Sequence, residues 1–284
     1  MSVVVVTDST ASLPPEVAAE RGIIVVPLQV VIGAHAHDEG SEKATPERVA
    51  TALREFVPVS TSRPAPATML AAYEAAALGG ARQIVSVHLS GDISGTFESA
   101  QLAARDASVR VMCVDSRQVG VATGYAALAA ADAIGTGASV EQAAQAARRR
   151  ADASSSLFYV DTLEYLRRGG RIGAAAALFG GALAVKPLLQ IKNGKVAPLE
   201  KVRTSGKALA RLEELAVAAA GDAAVDVCVA HLANPDRAGQ LATNLNERLE
   251  ANLGGRELWC GELGAVLGAH VGPGMIAVCV APRS

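Results

Sequence analysis

The chain reads as two α/β domains. The N-terminal one is a mostly parallel open sheet flanked by helices, and the C-terminal one is smaller and mixed. Three observations predict this. At 284 residues, half of them apolar, the chain can build one large or two ordinary domains around a substantial core. Continuous apolar, β-branched runs alternate with helical patterns from end to end, the signature of strands covered by crossover helices. The pattern changes character at the polar stretch 152–156, which places a domain at residues 1–154 and a second at 155–284.

Each element has a local reason. Val3, Val4, Val5 and Val6 form a strand of the kind buried on both faces, ending in Thr7, Asp8, Ser9 and Thr10. Polar residues at that end of a first strand belong on the binding edge of an open α/β sheet. A second strand, 23–32, carries Pro27, which confines part of it to an edge or a bend. A polar segment follows, and then Thr45-Pro46 opens a helix in the favoured order of N-cap and first position. Thr61, Ser62, Arg63, Pro64, Ala65 and Pro66 make an extended link to a helix at 67–78. A buried strand at 84–89 then runs through Ser90-Gly91-Asp92-Ile93-Ser94-Gly95 into a helix that begins at Thr96. Further on come a strand at 109–114, a long Ala-rich helix at 118–134, and a capping-box spacing of Ser139 and Gln142. In the second half, 157–160 is a short strand and 163–168 a helical turn stopped by Gly169-Gly170. Asn193-Gly194 marks the tip of a hairpin over 188–202. Helices at 205–219 and 237–251 flank a strand at 225–230. One strand precedes Gly261 and another, 275–280, closes the pattern.

Composition excludes several functions. The net charge is −2 and aromatics make up 3% of the chain, so neither the basic footprint nor the stacking platform of a nucleic-acid binder is present. No apolar stretch is long enough for a signal peptide or a membrane span, which predicts a cytoplasmic protein. Cys113, Cys228, Cys260 and Cys279 lie singly in strand-like runs and read as buried thiols. No Walker-type loop, strand-borne G-x-G-x-x-G, G-x-S-x-G elbow or H-E-x-x-H is found. His35 and His37 have strand spacing for a metal pair, but no metal or cofactor is expected.

What remains is a set of anion-directed groups. Ser94, Gly95 and Thr96 fall at a helix N-terminus, where backbone N–H groups lack partners and the dipole is positive. A plain N-cap would use the same residues. Thr61 and Ser62 precede the Pro-stiffened link. Arg171 follows Gly169-Gly170, Arg203 ends the hairpin, and His270 lies among Gly268, Gly272 and Gly274. The glycines suggest loops held close to a ligand.

These residues resemble a known family. Thr7-Asp8-Ser9, Thr61-Ser62-x-Pro64, Ser90-Gly91-x-x-Ser94-Gly95-Thr96, Leu163-x-x-Leu166-x-x-Gly169-Gly170-Arg171-Ile172, Lys186-Pro187-x-Leu189 and His270-x-Gly272-Pro273-Gly274 occur in the order seen in the DegV family, the fatty-acid-binding subunits of bacterial fatty acid kinases. The resemblance spans essentially the whole chain. It implies a long-chain fatty acid in a tunnel between two α/β domains, its carboxylate held by Thr61, Ser62, Ser94, Gly95 and His270. It also implies that Arg171 and Arg203 serve phosphotransfer or kinase docking, and that a partner fatty acid kinase catalytic subunit brings the nucleotide, so this chain has no catalytic residue of its own. Arg63 stands where the family often has Gln, Ala65 where Ser is common, and Phe97-Glu98 where Tyr-Gln is frequent.

The residues also agree with a lipid carrier on their own chemistry, because a fatty acid needs apolar walls and a few convergent polar groups. The alternative is a stand-alone enzyme, either a serine hydrolase using Ser94, His270 and Asp8 or a phosphosugar-handling protein built on the Ser-Gly-Thr turn.

Overall fold

The fold is that of a computed structural model describing residues 2–178 and 186–283. The chain divides into two compact units, Met1–Gln29 with Ser62–Ala153, and Val30–Thr61 with Ser154–Ser284. By position in the sequence, residues 30–61 fall in the first half. Their place in the second unit makes that unit the larger of the two rather than the smaller.

The first unit is a four-stranded parallel sheet in the order Ile23–Val26, Val3–Asp8, Gln83–His88, Arg110–Asp115. Side chains alternate between faces along a strand, and both faces here are apolar, as the uninterrupted valine run requires. Val5, Val85, Val87 and Val114 pack under the Ala-rich helices Val121–Gly135 and Val140–Ala153. Val6 and Ile84 pack on the opposite face against Met69, Tyr73 and Ala103 of the helices Pro66–Leu78 and Thr96–Asp106. The capping box closes reciprocally: Ser139 N–H donates to Gln142 Oε1 at 2.8 Å, and Gln142 N–H to Ser139 Oγ at 3.3 Å.

The second unit holds a six-stranded mixed sheet in the order Lys195–Val202, Lys186–Lys192, Ser155–Tyr159, Ile276–Pro282, Val225–His231, Trp259–Glu262. Only the last pair is parallel. The Asn193-Gly194 tip has positive φ at both residues, 51° and 78°, as a tight two-residue hairpin turn requires. One face of the sheet packs on the helices Ser205–Ala220 and Pro235–Arg248 through Val227, Val229 and Val278 against Leu212, Leu241 and Leu245. The other face, with Phe158, Val160 and Leu189, is covered by Leu166, Leu263 and Ala50.

Ala50 explains why residues 30–61 join this unit. It lies on the helix Pro46–Arg54, which Thr45 caps by accepting from Arg48 N–H, and its burial fills the same core as Leu166 and Leu263. Glu39 Oε1 adds a second tie by accepting the Val266 N–H at 2.7 Å. The expected strand at 23–32 is therefore two strands. Pro27 separates Ile23–Val26, in the parallel sheet, from Gln29–Ile32, which lies between His35–Asp38 and Val59–Ser62 in a three-stranded sheet. His270 sits in the last turn of the helix Ala265–Val271, not in a loop as its glycine neighbours suggested. Gly272 instead terminates that helix with φ +76°, donating to Gly268 O.

Candidate functional site

In the second unit Thr61 and His270 meet. Thr61 lies in the Val59–Ser62 strand and His270 in the last turn of the helix Ala265–Val271, and Thr61 Oγ1 lies 2.8 Å from His270 Nε2. The other ring nitrogen, Nδ1, is buried without a hydrogen-bond partner. Burial, followed by the nearby Arg171 guanidinium, pushes the His270 pKa down to about 4, so the ring is neutral at pH 7.

Gly169 is required by this packing rather than by its backbone conformation, which is helical at φ −73°. A Cβ at that position would run into His270 Nδ1. The Gly169 carbonyl accepts from Arg171 Nη1 at 2.6 Å, which fixes the guanidinium beside the imidazole.

Thr61, His270, Arg171, Arg168 and Tyr165 all line one cavity of about 440 Å³. Its apolar wall comes from Leu53, Phe56, Val57, Pro58 and Val59. Phe56 stands on the rim, 83% exposed, with φ +59°, a left-handed conformation usually left to glycine after a helix. Val57 N–H donating to Ala52 O at 2.9 Å closes that helix end and keeps the aromatic ring at the cavity. Arg168 is braced by Glu164 Oε1 at 2.7 Å, an atom that also accepts from Arg167. Arg203 follows the Lys195–Val202 strand, is exposed, and is not among the residues lining this cavity.

Ser62, Ser94 and Gly95 belong to the first unit. Ser62 Oγ donates to Arg63 O at 3.3 Å. Ser94 Oγ accepts the Thr96 N–H at 3.3 Å and shares a 2.9 Å hydrogen bond with Thr96 Oγ1, so the hydroxyl serves the start of the Thr96–Asp106 helix. Arg63 Nη1 donates to Gly95 O at 3.0 Å and to Glu98 Oε2 at 2.6 Å. Two departures from the family pattern, Arg63 and Glu98, are thus each other's ion-pair partners.

The hydrolase alternative fares poorly. Asp8 is fully buried, with Oδ2 bound to His88 Nδ1 at 2.8 Å and to Leu89 N–H, and Oδ1 accepting from Thr10 N–H and Oγ1. His88 Nε2 continues to Ser86 Oγ at 2.7 Å and Ser86 to Tyr73 OH at 2.8 Å. Asp8 is committed to this buried chain, and His270 Nδ1 lacks the carboxylate that orients the base of a Ser-His-Asp triad. Alternation along Gln83–His88 places Ser86 and His88 on one face, a legible signal, but Tyr73 and Asp8 come from other elements.

Among the described residues no group of three or more His, Cys, Asp or Glu side chains could hold a metal ion, and no helix is long and apolar enough to cross a membrane.

Residues 2–283 match the family model described as "Uncharacterised protein, DegV family". A DegV domain-containing protein of Streptomyces coelicolor is 52% identical over 281 residues, covering 99% of each chain. Protein DegV of Bacillus subtilis is 34% identical over 285 residues, 98% of this chain and 99% of its own. Among solved structures, a fatty-acid-binding DegV family protein from Thermus thermophilus and the fatty acid binding protein DegV from Bacillus subtilis each superpose with a TM-score of 0.90, at 32% identity and with both chains fully covered. With a family match over nearly its whole length and full-length relatives well above 30% identity, the chain belongs to the DegV family.

Proposed function

We propose that this protein binds a long-chain fatty acid and presents its carboxylate to a partner kinase for conversion to an acyl phosphate. The observation that carries the reading is the Thr61–His270 pair beside Arg171, in a cavity with an apolar wall of Leu53, Phe56, Val57, Pro58 and Val59. A volume of about 440 Å³ lies within the range of small-ligand sites, and apolar walls with a few convergent polar groups suit a lipid acid.

The hydrogen-bond logic follows from the neutral imidazole, which has one donor and one acceptor nitrogen. A buried N–H left unpaired costs more than a lone pair left unpaired, so the proton belongs on Nε2 and the orphaned atom is the Nδ1 lone pair. Nε2–H then donates to Thr61 Oγ1, and the Thr61 proton is free to donate to an arriving carboxylate. The Ser62 and Ser94 hydroxyls and the Gly95 N–H are proposed as further ligands on the family pattern.

Arg171 and Arg203 are assigned to the transfer step or to kinase docking, with the chain acting in the cytoplasm and the nucleotide supplied by the partner. The test is acyl-phosphate formation from ATP and a long-chain acid. Product should require both this chain and a fatty acid kinase catalytic subunit, and Arg171→Ala or Arg203→Ala should lower the rate with lipid loading retained. Product formed by either protein alone would overturn the division of labour.

A further inference from the structure

A second group of ligating side chains lies outside the cavity described above. The His35–Asp38 strand is one of the two edge strands of the three-stranded sheet, and His35 and His37, two residues apart on it, face the same side. Their ring centres are 6.3 Å apart and their planes are inclined by 24°. His35 is exposed and His37 half-buried, so both are open to solvent ions.

A metal bonded at about 2.1 Å to one nitrogen of each ring spans ring centres up to roughly 6.5 Å apart. The observed spacing is within that reach, and rotation of the exposed His35 ring bends the nitrogen–metal–nitrogen angle toward tetrahedral. The two rings line a shallow groove of about 570 Å³ together with Glu47 and Glu55 and with Lys43 and Arg48. Two carboxylates and two cations balance, so the imidazoles rather than net charge select the ligand. Imidazole suits zinc, nickel and copper, whereas magnesium and calcium prefer oxygen donors.

The other three histidines are committed elsewhere. His88 is bonded to Asp8 and Ser86, His231 is buried, and His270 faces Thr61. We propose that His35 and His37 form an open two-imidazole site for a divalent transition metal ion. No third protein ligand completes it among the described residues, so water fills the remaining positions. The inference is independent of the lipid reading.

Calorimetric titration of zinc chloride, and separately of nickel chloride, into the untagged full chain stripped with EDTA tests it. The expected result is one ion per chain with a micromolar dissociation constant. His35→Gln and His37→Gln should each weaken binding at least tenfold and the double variant should abolish it, with unchanged circular dichroism and melting temperature. Cys260, the one exposed cysteine among the four, is the control, and Cys260→Ser should bind as the parent does. No micromolar binding by the parent, binding retained in the folded double variant, or binding lost in Cys260→Ser would each overturn the proposal.

Discussion

Thr61 and His270, 209 positions apart in the chain, are joined by a 2.8 Å hydrogen bond between Thr61 Oγ1 and His270 Nε2. If that pair receives a carboxylate, Thr61→Val keeps the shape and removes the donor, and His270→Gln removes the group that orients it. Thr61→Val loses a hydrogen bond to a charged group, worth roughly 1.5–3 kcal/mol, and His270→Gln leaves that donor without the partner that aims it. Competition with a fluorescent fatty acid should therefore show affinity falling about ten- to a hundredfold in either variant. Parent-like affinity in both would place the head group elsewhere.

Stability should depend on pH through His270. Its folded pKa, about 4, lies below the ordinary 6.5, so between those values the unfolded chain binds a proton that the folded chain excludes. The stabilisation is complete above about pH 6.5 and is lost as pH falls toward 4, in total roughly 3 kcal/mol. Urea denaturation across this window should show a slope that flattens in His270→Gln. An equal slope in both proteins would mean that the ring is not held neutral by its surroundings.

Gly169→Ala tests the packing behind the pair. The added methyl would collide with the His270 ring, although the φ of −73° suits alanine. Overpacking of this kind costs about 1–3 kcal/mol and should displace the imidazole from Thr61. The variant should melt lower and retain less lipid. A variant that melts higher, as expected of a plain Gly→Ala change at a helix end, would show that the ring has room to move.

The buried chain Asp8–His88–Ser86–Tyr73 should be a stability element. Ser86→Ala leaves His88 Nε2 and Tyr73 OH without their shared partner inside the first unit's core. The expected loss is about 2–4 kcal/mol in urea denaturation. A loss below about 0.5 kcal/mol would show that these groups find other partners.

Much of this was legible where local chemistry dominates. The valine run of the first strand, the Thr45-Pro46 start, the Ser139/Gln142 box and the Asn193-Gly194 hairpin each specify their geometry within a few residues, and each formed as read. The grouping of elements was less legible. The helix carrying Ala50 shows nothing in sequence of the core it fills, so residues 30–61 looked continuous with the first half. The Ala265–Val271 helix was hidden by Gly268, Gly272 and Gly274, which read as loop residues, although Gly268 sits against Leu232 where a Cβ would meet it at 3.1 Å. Thr61, Arg171 and His270 were singled out by their glycine and hydroxyl settings, whereas Tyr165 and Phe56 reach the cavity through tertiary packing that no local pattern announces.

The most direct test of the central claim is native mass spectrometry of the untagged chain purified from bacterial cells, with Thr61→Val measured in parallel. A parent carrying one long-chain fatty acid per chain, released on denaturation and largely missing from the variant, is the predicted result. A parent without lipid that also takes up none when long-chain acids are added, or a Thr61→Val variant that retains as much acid as the parent, would contradict it.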